Sequence, residues 1–144
     1  DGSPVSAVYL VKTDSIGNKE WSQTFGNDDF ARGISVQQTV DGGYVILGEI
    51  RISGDENFKA YLVKTDSNGN EQWNQTFGGD HYYTGNSVQQ TSDEGYILLG
   101  DSSIYSYSND KVSLVKTDSN GNEQWSETFG GYWGNQGHLV HQLN

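Results

Sequence analysis

The chain has 144 residues and carries 19 Asp and Glu against 8 Lys and Arg, a net charge of -11. Phosphate recognition needs clustered cations, so this balance excludes a nucleic-acid partner. Cysteine is absent, which excludes a disulfide framework and thiol chemistry, and no apolar run approaches the roughly 18 residues of a membrane span. With 19 Gly and a single Pro, chain reversals must rest on Gly, Asn and Asp, and 4 Trp and 9 Tyr point to a thin, aromatic-rich core.

In chain order, residues 1–7 (DGSPVSA) read as a polar loop. No charged-then-apolar leader opens the sequence, which fits a mature chain or one cut from something longer. Residues 8–13 (VYLVKT) are β-branched and aromatic and end at Asp14-Ser15-Ile16-Gly17-Asn18, a strand followed by a hairpin turn. Residues 19–25 (KEWSQTF) alternate, with Trp21, Gln23 and Phe25 on one side. A loop over 26–33 and a strand over 34–40 (ISVQQTV) follow. Asp41-Gly42-Gly43 then supplies a tight reversal into residues 44–48 (YVILG), whose continuous apolar run predicts a strand covered on both faces.

From there the text repeats. Residues 61–77 (YLVKTDSNGNEQWNQTF) restate 9–25 at a spacing of 52, and 113–129 restate them again. Residues 86–92 and 96–100 likewise restate 34–40 and 44–48, and 102–111 replaces 50–59 as a variable connection. A fixed period near 50 marks stacked or radial units that cannot bury their apolar faces alone. Each unit is predicted to be four antiparallel strands, giving a partial unit at 1–25, full units at 26–77 and 78–129, and a degenerate start at 130–144. In that last piece Gly137, Val140 and Gln142 match Gly85, Val88 and Gln90, whereas Leu139, His141, Leu143 and Asn144 depart from the pattern.

Four strands per unit, with a Gly-bounded apolar second strand and a Trp in the fourth, fit a blade of an all-β propeller. Residues 64–73 (KTDSNGNEQW) resemble the blade signature of quinoprotein-type and WD40-like repeats. The combined pattern SV-x-QT, DGGY, YLVKTD and W-x-x-TFGG is similar to tandem repeats of about 50 residues in secreted and surface-layer proteins of archaea and bacteria. The resemblance implies an extracellular or cell-surface scaffold or recognition module rather than an enzyme. Propellers close with four to eight blades, so about eleven strands per chain leave the ring to be completed by a longer array or by other copies. A β-trefoil, also built from three four-stranded repeats, is the alternative fold.

Among candidate sites, the turns Asp66, Asn68, Asn70 and Asp118, Asn120, Asn122 space side-chain oxygens as calcium requires, or cap hairpin amides. Trp21, Trp73, Trp125, Phe25, Phe77, Phe129, Tyr44 and Tyr96 recur with the repeat and are assigned to core packing between units. Tyr82, Tyr83, Tyr132 and Trp133 fall outside the repeated positions in loops and are the candidates to face a ligand. The Gln37, Gln38, Gln89 and Gln90 amides of the innermost strand bond one another or line a channel, and Lys12, Lys64 and Lys116 form repeated ion pairs or solvated edges. No nucleophile, base and orienting group share a useful spacing, and no cofactor ligand set stands out. The expectation is a non-enzymatic module whose rim loops (27–33, 50–59, 79–85, 102–111) meet a surface protein or carbohydrate. The alternatives are a self-assembling surface-layer or filament block and a lectin-like carbohydrate binder.

Overall fold

The computed structural model describes residues 6–26, 30–79, 82–103, 111–130 and 135–143. Among these the chain is all-β, with ten strands, no helix, and three antiparallel sheets. Strands β1 (Val8–Thr13) and β2 (Lys19–Phe25) form a two-stranded sheet. Strands β3 (Phe30–Gln38), β4 (Tyr44–Arg51), β5 (Lys59–Thr65) and β6 (Glu71–Phe77) form a meander in that order. Strands β7 (Tyr82–Gln90), β8 (Tyr96–Ser103), β9 (Lys111–Thr117) and β10 (Glu123–Phe129) repeat it. No ladder joins one sheet to another among the described residues, so the sheets stay separate and do not build the barrel of a trefoil.

The second strand of each meander sits between two sheet neighbours and under two faces. Val45, Ile46, Leu47 and Gly48 of β4 are all buried, which is why the sequence there is an apolar run, and burial continues through Glu49 and Ile50. Its even residues join one core with Val8, Phe25, Ala31, Tyr61 and Val63. Its odd residues Val45 and Leu47 join a second core with Leu62, Phe77, Tyr83, Val88, Tyr96 and Leu98. Each core therefore lies between consecutive sheets, and each fully buried Leu in them contributes roughly 1.5–3 kcal/mol by burial.

Two expectations change. β3 and β7 begin at Phe30 and Tyr82, so residues 30–33 and 82–85 are strand rather than loop. The ladder extends because Phe30 and Ala31 pair with Arg51 and Ile50, and Tyr82 and Tyr83 with Ser103 and Ser102, across a bulge after Gly33 and after Gly85. The C-terminal residues 135–143 run as an unladdered segment, leaving ten strands where about eleven were expected.

Candidate functional site: the repeated junction and its open ends

The feature with the most organised chemistry is the contact between consecutive units. The Trp of one unit's fourth strand packs edge-on against the Tyr that opens the next unit's second strand, Trp21 on Tyr44 at 5.6 Å and Trp73 on Tyr96 at 5.7 Å between ring centroids. The same indole covers a hairpin glycine of that next unit. A Cβ at Gly69 would lie 2.6 Å from Trp21 Cζ3, and one at Gly121 would lie 2.6 Å from Trp73 Cζ3. These glycines are required twice over, by that close approach and by a positive φ of 81° at each.

The first strands of successive units are clasped by amides. Gln90 N donates to Gln37 Oε1 at 2.7 Å and Val40 N donates to Gln90 Oε1 at 2.9 Å. One unit on, Gln142 N donates to Gln89 Oε1 at 2.7 Å and Ser92 N donates to Gln142 Oε1 at 2.8 Å. The C-terminal segment thus sits where the first strand of a further unit belongs, although it forms no ladder. Asp101 fixes it as well, its Oδ1 accepting from Gly137 N at 3.0 Å. Of the four glutamines expected to bond one another, Gln37 and Gln90 do so, whereas Gln89 meets Gln142 and Gln38 Nε2 donates to the Gly42 carbonyl of its own hairpin at 3.3 Å.

The lysines act within units. Lys64 Nζ donates to Asp41 Oδ2 at 2.8 Å, to the Thr65 carbonyl at 2.8 Å and to Gln72 Oε1 at 3.1 Å. Lys116 repeats the set with Asp93, Thr117 and Gln124. The partner is the aspartate of the preceding hairpin rather than the one two residues along the strand. Lys64 and Thr39 hold the Asp41 carboxyl down at about 2, and Thr91 and Lys116 do the same for Asp93. Lys12 has no such aspartate and pairs with Glu20 at 2.5 Å.

Asp66 Oδ1 accepts from the Asn68 and Asn70 amides at 2.8 and 2.9 Å, and its Oδ2 accepts from Asn70 Nδ2 at 2.9 Å. Asp118 does the same with Asn120 and Asn122. The Asn70 and Asn122 amides turn their N–H groups toward the carboxylate, so the oxygens are engaged within the turn, as in a capped hairpin. These bonds lower both carboxyls, the Asn70 and Asn122 side chains contributing most.

Of the residues expected to face a ligand, Tyr83 is 3% exposed within the inter-unit core, and burial pushes its hydroxyl up to about 12. Tyr82 is half-buried against Phe58, ring to ring at 5.5 Å. Tyr132 and Trp133 lie outside the described residues, as do 27–29, 80–81 and 104–110 of the rim loops. The assigned packing residues also divide. Phe25, Phe77 and Tyr96 are buried, Trp21, Trp73 and Tyr44 are half-buried, but Trp125 is 45% and Phe129 53% exposed, because no following unit covers them among the described residues.

At the opposite end the first unit shows only β1 and β2, the counterparts of the third and fourth strands, among the described residues. The free edge of β1 and the underside of β3 line an apolar groove of about 520 Å³. No atom comes within 4 Å of a Cβ at Gly17, the counterpart of Gly69 and Gly121. One buried group escaped the sequence reading. Glu49 meets Arg32 at 3.0 Å through Oε1 while its Oε2 is buried without a hydrogen-bond partner, and that burial raises its carboxyl. The available signal was an acid closing an apolar run at the position of Asp101.

No known family model matches the chain, and no curated protein matches it. A solved structure that it resembles is a protein of unknown function from Bacteroides caccae, with a TM-score of 0.52 and 12% identity. The likeness covers 89% of this chain and 43% of that one, so this chain spans less than half the length of its solved neighbour. Agreement at that identity concerns the fold alone.

Proposed function

We propose that the chain is a non-enzymatic β-propeller-type scaffold and recognition module of the cell surface or extracellular space, completed by association with further units. The observation that carries this is the junction that recurs at 52 residues and, among the described residues, leaves Trp125 exposed and Gly17 uncovered. Among the described residues Trp73 has Gly121 and Tyr96 to cover, Trp125 has neither, and Gly17 has no indole over it. A second copy seated head to tail brings its Gly17 hairpin to the exposed Trp125 of the first, a heterologous contact that closes into a ring or continues as an array. The non-enzymatic reading is supported by the engagement of the lysines and aspartates in intramolecular bonds, and an exposed apolar surface at each end is what association sites look like.

Size exclusion with light scattering tests it. A discrete oligomer that Trp125→Ala dissociates is expected. A single chain at all concentrations overturns self-completion.

A carbohydrate reading has one observation in its favour, a cavity of about 300 Å³ at the closed junction where Trp73 stands among Asp41, Gln72, Gln90 and Asn120. An aromatic face beside amides and a carboxylate suits a sugar. A glycan array decides it, with binding lost in Trp73→Ala as the supporting result and no binding to any glycan as the contrary one.

A further inference from the structure

The groove at the free edge of β1 has a filled counterpart in the same molecule, and that counterpart specifies what fits. Between the second full unit and the C-terminal segment, Leu99 and Val112 together cover Gly137, their methyls 3.0–3.1 Å from where its Cβ would be. The matching glycine at the open end is Gly33, and Val8, the counterpart of Val112, already approaches it at 3.0 Å. Among the described residues no leucine shares this position, for after Val8 the nearest side chain to a Cβ at Gly33 is an Ile46 methyl at 3.9 Å. At Gly85 the position is again filled, by Leu47. Both leucines come from the second strand of a unit, β4 or β8, and both pair with a third strand, Leu47 with Leu62 and Leu99 with Leu114. The equivalent of Leu62 and Leu114 is Leu10, on the unpaired side of β1.

We infer that the groove is a strand-docking site for an extended segment of the β8 type, Tyr followed by three apolar residues, Gly and an acid. The segment adds antiparallel to β1, places its third apolar residue over Gly33 beside Val8, and sets its acid at the Gly33 backbone as Asp101 sits at Gly137 N. The inference rests on the reading of the chain as part of a repeat array. The occupant is the second strand of a further repeat unit, because β4 and β8 are central, fully paired strands of their own sheets and neither they nor those of a second copy are free to dock.

The probe is a fluorescent peptide of residues 94–102 (EGYILLGDS), titrated by anisotropy with the intact chain. Saturable binding is expected, weaker by about tenfold or more for a peptide carrying Leu99→Asp, since that substitution puts a charge into the apolar position. Hydrogen exchange should slow along residues 8–13 on binding. No rise in anisotropy, or equal affinity for both peptides, overturns the inference. A bound fraction that falls as chain concentration is raised further assigns the groove to a second copy instead and also overturns it. Light scattering on the same samples separates the two readings. A chain that binds the peptide yet stays single keeps the groove and loses self-completion, and one that assembles yet ignores the peptide below its assembly concentration does the reverse.

Discussion

Strands β1 and β5 contain the same five residues, YLVKT, yet Tyr9 is 61% exposed and Tyr61 5%, and Val11 is 42% exposed where Val63 is wholly buried. The difference lies in the neighbours. β5 has β4 along one edge and sheets on both faces, whereas β1 has β2 alone at its side. Burial in this fold is therefore a property of the junction, and a strand's sequence sets only what it can bury once a neighbour arrives. Repeat stability built from intrinsic and nearest-neighbour terms follows from the same geometry.

Truncating the equivalent leucines tests that difference most heavily. Leu62→Ala is expected to cost about 3 kcal/mol in urea unfolding and Leu10→Ala about 1, because Leu62 is fully buried and Leu10 only half. Equal losses would mean that β1 is as enclosed as β5.

The hairpin glycines give a smaller contrast. Gly17→Ala meets only the strain of its positive φ, about 1 kcal/mol, whereas Gly121→Ala adds a collision with the Trp73 ring. The second is expected to cost at least twice the first by the same measurement, and equality would remove the indole from the junction.

A third contrast concerns acid. Asp41 and Asp93, held at about 2 against an ordinary 3.8, bind fewer protons folded than unfolded between those values. Their contribution is complete above about pH 4 and is lost as the pH falls towards 2. Thermal melts of the chain are expected to decline through that window, and Asp41→Asn with Asp93→Asn should flatten the decline. An unchanged acid limb would show that the lysine clusters do not carry it.

Much of this was legible in the sequence. The 52-residue spacing fixed the four-strand unit, and the run YVILG announced a strand buried on both sides, because periodicity reports on local burial directly. The Gln repeat was recognised as a site of bonding between units, and Gln37 does meet Gln90 across two of them. Tyr83 was misread because it replaces Ala31 and so looked like a loop insertion, when an extended ladder carries it into the core. Lys64 was expected in a repeated ion pair or at a solvated edge with no acid assigned to it, because the hairpin before β4 brings Asp41 from 23 residues upstream. The asymmetry between Trp73 and Trp125 had no trace in the E-Q-W and T-F that both strands carry. Only the packing of units reveals which indole is covered.

Hydrogen exchange of the three equivalent strands, read by mass spectrometry on the dilute chain, tests the central claim most directly. Strand β5 is expected to exchange slowest and β1 fastest, since the sequence they share is enclosed in one and open in the other. Protection of β1 equal to that of β5 in a dilute single chain would contradict it.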